Sequence, residues 1–255
     1  MAAYSGVMTL LEKMVTLAIL LLCLAEAGSL VRGLKGKRLG RNLGFGAAAL
    51  GVGVVLRHLH EWMAGLAVLH WGNRWLESLA CVLVAELFGW TCHYLKHVHP
   101  WLWKFHFQHH REEEYNLWLT THTHALEVLF SGTVMAALLA VCGFSNQVVG
   151  VYLLYYSLVK FFQHSSRDYR LGPLGYLIIT PAYHRWHHEI ESRCNYGVTL
   201  TLFDVLFGTV RWPDHVTPER YGVKGELPYG FWAEHLWFLG RSTSVSEGPR
   251  QRQPS

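Results

Sequence analysis

The sequence predicts an all-α, multi-pass membrane bundle whose histidines gather at the cytoplasmic ends of its spans. Three observations lead there. Apolar residues make up 51% of the 255 and charged ones 16%, against roughly 25% charged in ordinary soluble domains. Apolar runs of helical length recur along the chain, separated by short polar connectors. The 17 histidines fall into a few dense clusters. Eleven Trp and twelve Tyr suit interfacial belts, and a formal charge of +4 does not point to a nucleic-acid partner. The five Cys include no CxxC pair, so buried thiols are expected, without disulfides or a thiolate zinc site.

The first apolar run covers residues 14–31. Ala25–Ala27 has the look of a signal-peptidase site, yet the preceding region lacks clear positive charge before Lys13, and "VRGLKGKRLGRN" follows at once. Strong basicity there suits the cytoplasmic flank of a retained anchor. The second run, 43–56, is shorter than the ~20 residues of a perpendicular span; it either continues past Arg57 or is re-entrant. The third, 76–92, contains Glu86. The fourth and fifth, 125–144 and 148–162, read as a hairpin that crosses and returns around a polar tip at 145–147. Residues 241–255 read as a disordered tail. Arg32, Lys35, Lys37, Arg38 and Arg41 place the first loop in the cytoplasm. If the second and third runs both cross, every dense histidine segment lies on that face.

His93 and His97 are four apart, so they share a helical face. In "HFQHH", His106 meets His109 and His110 at three and four, and "HRWHH" repeats that geometry with His184, His187 and His188. Neutral imidazole is a good ligand for Fe, Zn and Cu. Eight imidazoles exceed what one tetrahedral zinc can use, so two metals sharing the set is the simpler accounting. Adding His164, and His124 as a tenth candidate, gives each ion about five nitrogens with room for a small ligand, which suits two irons activating O₂. His97 and His99, and likewise His122 and His124, are two apart, so one of each pair points elsewhere. His58, His60, His70, His215 and His235 have no convergent neighbours and read as surface or interfacial. Glu86, two turns before His93, and Glu127, three residues after His124, are candidates to accept the free N–H of a bound imidazole. Glu112–Glu114 reads as a solvated charge run.

Two other functions use the same residues. A zinc-dependent membrane hydrolase would take Glu189 or Glu127 as its base, but the nitrogen-rich set argues against it. A metal transporter would spread its histidines through the depth of the spans, whereas these sit at span ends.

The pattern His93-x3-His97, His106-x2-His109-His110 and His184-x2-His187-His188 resembles the fatty acid hydroxylase/sterol desaturase superfamily of integral-membrane di-iron enzymes. "WKFHFQHHREEEYN" resembles its F-H-x-x-H-H followed by Tyr-Asn. "HALE" resembles H-P-L-E with Ala125 for proline, and "FFQHSS" resembles F-x-H-x-N with Ser166 for Asn. "TPAYHRWHHE" and "NYGVTLTLFDVLFGT" are similar to the closing signature. Tyr94 stands where Arg often follows the first histidine, and Glu86 where members usually have Asp. The resemblance implies membrane spans under a cytosolic cap, with anchor spans in 1–75 and a catalytic domain in 76–240. It implies two Fe ions, O₂ as co-substrate and oxidation of a lipid C–H position, to a hydroxyl or a double bond. His93, His97, His106, His109, His110, His124, His164, His184, His187 and His188 are then the expected ligands. Glu86, Glu127, Asn116, Asn195 and Asp204 are expected to support them. Substrate entry is expected near Trp101, Trp103 and Trp118. With no CxxCH, GxGxxG or four-Cys cluster, electrons would come from a ferredoxin or cytochrome b5-type donor.

Overall fold

Asn73 opens the helix that carries the first clustered histidines. Its Oδ1 accepts from the amides of Trp75 and Leu76 at 2.9 and 3.2 Å, an N-cap for the helix Arg74–Val98, here α4. That helix stops because Pro100 follows. The residue before a proline is pushed out of the helical region, and His99 is extended. Proline at the first helical position then starts α5, Pro100–His110. The break folds α5 back against α4.

The computed structural model describes residues 2–190, 192–213, 216–224 and 228–239, with backbone alone for 2–9, 57 and 64. Among them the chain is all-helical, with isolated bridges Ile178–Leu200 and Glu189–Tyr221 and no named strand. The first apolar run is divided between α1, Ala2–Ala25, and α2, Ala27–Gly33, bent by 76°. The bend lies at Glu26, which is buried and accepts hydroxyls from Ser165 at 2.6 Å and Ser29 at 3.2 Å, and another from Ser166. The second run is longer than its apolar centre suggested: α3 is Lys37–Met63. Its 27 residues extend about 40 Å at 1.5 Å per residue. Trp62 and Trp75, 77% and 85% exposed, sit where α3 ends and α4 starts, the place for interfacial anchors.

By length and composition α3 and α4 can cross a membrane, and the bent α1–α2 pair makes a third candidate. The expected hairpin forms from α6, Ala125–Val141, and α7, Asn146–Gln163. Its first arm has only 17 residues, about 25 Å, short of the ~30 Å of hydrocarbon. At the turn, Gly143 has φ +69, and a Cβ there would lie 1.8 Å from the Leu69 carbonyl oxygen, so only glycine fits. The α3–α6, α1–α7 and α4–α7 faces pack together. Cys81, Ala85, Leu139, Val148, Val149 and Tyr152 form the apolar core beneath the histidines. Three short helices complete the upper layer: α8, Pro181–His187; α9, Leu202–Leu206; and α10, Phe231–Leu236. The tail expectation for 241–255 and the reading of His215 lie outside the described residues.

Candidate metal centre

Continuation of α4 to Val98 stacks His93 and His97 one turn apart at the top of a candidate span. The Pro100 break returns α5 so that His106, His109 and His110 face them. His164 ends α7, where it is the C-cap. Thr180 caps α8 by accepting the Tyr183 amide at 3.2 Å, and α8 presents His184, His187 and, as its C-cap, His188.

These elements bring nine imidazoles into two groups. His93, His97, His106, His110 and His187 form one; His109, His164, His184 and His188 form the other. Within each group the ligand atoms lie within 4.8 Å of one another. Metal–imidazole bonds are about 2.0–2.1 Å long, so two nitrogens opposed across one ion are about 4 Å apart. The groups touch: the rings of His110 and His188 stack at 4.4 Å, and those of His109 and His110 are 5.4 Å apart.

The donor set passes a direct test of fit. The Nε2 atoms of His93, His97, His106, His110 and His187 are all buried without a hydrogen-bond partner. Buried polar nitrogens seldom lack partners, and here five do so in one place. In the second group, His184 Nε2 is 3.2 Å from His164 Nε2 and 3.1 Å from His188 Nε2. Three like nitrogens converging this way are better satisfied by a shared cation than by one another's protons.

The outer nitrogens explain which way the rings face. His93 Nδ1 donates to the Tyr196 carbonyl at 2.8 Å, His187 Nδ1 to Cys194 at 3.0 Å and His164 Nδ1 to Lys160 at 2.8 Å. His106 Nδ1 donates to Glu127 Oε1 at 3.1 Å, and that oxygen also accepts Lys96 Nζ at 2.7 Å. A proton fixed on Nδ1 leaves the Nε2 lone pair facing inward. Burial keeps the rings neutral. It pulls the pKa of His164 and of His187 down to about 3, and those of His109, His110, His184 and His188 well below the usual value, with neighbouring imidazoles adding to the effect. His106 is lowered by burial too, partly offset by Glu127.

Several sequence expectations land elsewhere. His124 joins neither group. Its Nδ1 accepts the Leu126 amide at 3.1 Å as the cap of α6, and its Nε2 donates to the His235 carbonyl at 3.0 Å. With both nitrogens engaged it has no lone pair left for a metal. His122 is also apart, donating to Asn42 Oδ1 at 2.8 Å. His235 is buried rather than at the surface, because it holds Phe231 and Ala125 backbone atoms. Glu86 does not reach His93: its oxygens take the hydroxyls of Tyr152 and Thr199 and the amides of Thr199 and Leu200. It ties α4 to α7 and to the loop after α8. Asn116 caps a single 3-10 turn by accepting the Trp118 amide at 3.0 Å and touches no clustered histidine. Of the tryptophans, Trp103 lies against the centre, 5.3 Å from the His97 ring. Trp101 is 57% exposed, and Trp118 donates to Leu30.

Asn195 and Asp204 act one step out. Asp204 accepts from Trp90, Tyr183, Thr209 and the amides of Tyr196 and Gly197 at 2.6–2.9 Å. Asn195, at φ 60, binds the Tyr183 carbonyl and both backbone groups of Arg211. Between them they fix residues 194–197, whose carbonyls hold His93 and His187. Sequence reasoning missed those carbonyls and the buried Arg41–Glu234 pair, Nε to Oε1 at 2.5 Å; the Asn-Tyr-Gly turn was the only local signal for the former.

Residues 78–209, just over half the chain, match the fatty acid hydroxylase family. Ornithine lipid hydroxylase OlsE of Rhizobium tropici is 31% identical over 175 residues, 64% of this chain and 51% of that protein. Human alkylglycerol monooxygenase is 30% identical over 144 residues, 55% of this chain and 32% of that protein. Very-long-chain aldehyde decarbonylase GL1-1 of Oryza sativa subsp. indica is 30% identical over 167 residues, 61% of this chain and 26% of that protein. The matched region thus spans about half or less of each relative's length. No solved structure matches the chain.

Proposed function

This chain belongs to the fatty acid hydroxylase family, and we propose that it is a membrane-bound di-iron oxygenase that hydroxylates a C–H position of a lipid. The single observation that carries the reading is the set of five orphaned Nε2 atoms, buried together beside a second group of four imidazoles. His93, His97, His106, His110 and His187 would hold one iron, and His109, His164, His184 and His188 the other. Iron bound there supplies O₂ activation and the removal of hydrogen from an unactivated C–H bond. In the overall balance one oxygen atom of O₂ enters the lipid as hydroxyl. The other leaves as water, with two electrons and two protons.

The chain's own part is geometry and exclusion of water. The Tyr196, Cys194 and Lys160 carbonyls and Glu127 hold the outer nitrogens of His93, His187, His164 and His106, so each of these four rings keeps one tautomer and one direction. All-nitrogen coordination suits iron better than a closed tetrahedral zinc site. Lys96 beside Glu127 keeps that carboxylate charged against its buried surroundings. Trp103 gives an apolar wall next to His97 and His110, suited to an alkyl chain.

Residues 76–240 form the catalytic part and 1–75 the anchor. The basic segment Arg32–Arg41 supports placing the centre on the cytoplasmic face. Electrons come from a separate ferredoxin or cytochrome b5-type donor. The substrate is a lipid with a polar head, with the named substrates of the relatives as first choices.

The test is O₂ consumption by anaerobically purified, iron-loaded protein, given a chemical reductant and a lipid extract, with ¹⁸O₂ traced into product. Labelled hydroxyl in a lipid supports the proposal. Bound zinc with lipid hydrolysis and no uptake of label would overturn it, and a labelled-water product with a new double bond would reassign it to desaturation.

A further inference from the structure

Away from the histidines, a positively charged concavity lies where α2 turns into α3. Arg32, Lys35, Lys37 and Arg38, with Tyr229, line an open surface concavity of about 750 Å³. Neighbouring carboxylates account for part of the charge. Arg41 behind the cavity is neutralised by Glu234 and Glu112 at 2.5 and 2.6 Å, and Arg38 pairs with Glu114 at 2.8 Å. Arg32, Lys35 and Lys37 have no ion pair among the described residues, so about three positive charges face the cavity unpaired.

The position specifies what could neutralise them. Lys37 is the first residue of α3, a helix long enough to cross the membrane. At about 40 Å it exceeds the ~30 Å hydrocarbon layer by several residues, which puts its first turn at the depth of lipid phosphates. Basic pockets beside spans at that depth recognise anionic headgroups. The dipole of α3 adds to the positive potential at its N-terminal end.

We propose that this cavity binds the phosphate of an anionic membrane lipid through Arg32, Lys35 and Lys37. Arg38, shared with Glu114, connects the site to the centre. Tyr115, the next residue, places its ring 5.4 Å from His188 and 6.0 Å from His164. A headgroup held here would leave its chains beside the span. The binding itself does not depend on what metal the centre holds.

The test titrates the full chain, in detergent, with dihexanoyl phosphatidylglycerol by calorimetry. Dihexanoyl phosphatidylcholine and inorganic phosphate serve as the other two arms, and the variants are Lys35→Gln/Lys37→Gln and Glu114→Gln. One phosphatidylglycerol should bind per chain, more tightly than either control. Each cation near a lipid surface contributes about 1 kcal/mol, roughly fivefold, so the double variant should weaken binding about 25-fold, and Glu114→Gln should tighten it. Circular dichroism and metal content should not change, since the substituted side chains are exposed. Equal binding of phosphatidylcholine, equal binding of inorganic phosphate alone, or unchanged affinity in the double variant would each overturn the proposal. So would a double variant that keeps its lipid but is reduced more slowly by an acidic electron donor, which would make the patch a protein-docking surface.

Discussion

Two buried histidine clusters lie side by side in this protein and differ in one respect. His122, His124 and His235 are buried, like seven of the nine imidazoles of the candidate metal centre. Yet each of their six ring nitrogens has a partner: Asn42 and Arg41 for His122, the Leu126 amide and His235 carbonyl for His124, and the Ala125 amide and Phe231 carbonyl for His235. In the centre five Nε2 atoms have none. Burial and clustering therefore do not mark a ligand. Several inward nitrogens that converge without a proton partner do, because such atoms keep free lone pairs facing one point in a dry site; His60, whose two nitrogens also lack partners, belongs to neither group.

The contrast is broken most severely by removing one member from each cluster. His110→Ala should eliminate activity and release metal, by more than the roughly 10–100-fold that loss of an outer partner costs. His122→Ala should leave metal content unchanged. Equal metal loss in both, measured by elemental analysis of folded protein, would erase the distinction.

Acid comes next. His164 and His187 titrate at about 3 in the fold but near 6.5 when unfolded, so the unfolded chain takes up protons that the folded chain refuses. Their contribution is complete above about pH 6.5 and is lost progressively as pH falls towards 3. Metal-free protein should melt at steadily lower temperature over that window, as followed by circular dichroism. Flat stability between pH 7 and 4 would contradict the neutral, tightly packed rings described here.

Glu127→Gln sharpens the comparison from outside the ring. It keeps the shape but weakens the hold on His106 and Lys96, and should lower metal affinity about 10–100-fold, readable by chelator competition. Asp204→Asn acts further out still. At least one of its five donors loses its acceptor, costing about 1–3 kcal/mol in unfolding free energy, with partial loss of metal as the Tyr196 carbonyl moves off His93. The smallest effect belongs to His124→Ala. Loss of the α6 cap should cost about 0.5–2 kcal/mol, with metal content untouched; depleted metal there would restore His124 to the ligands.

What could be read from the sequence was what helix geometry decides locally. The i, i+3 and i+4 spacings in α5 and α8 and the i, i+4 pair in α4 put imidazoles on shared faces, and the structure has them together. The same logic set Glu127 against His124, three residues before it, whereas it holds His106 of α5. His124 was misjudged because the carbonyl that takes its Nε2 proton belongs to His235, 111 residues away. Glu86 was misjudged for the same reason: its donors come from Tyr152 and residues 199–200, 66 to 114 positions along. The bend at Glu26 depends on serines about 140 residues later. Periodicity carries no information about such distant partners.

Whether nine imidazoles hold two ions is decided by the iron count per folded chain after anaerobic purification, with X-ray absorption reporting the coordinating atoms. We predict two irons per chain with nitrogen neighbours at about 2 Å. A single ion bound by four nitrogens, or a sulfur neighbour, would contradict it.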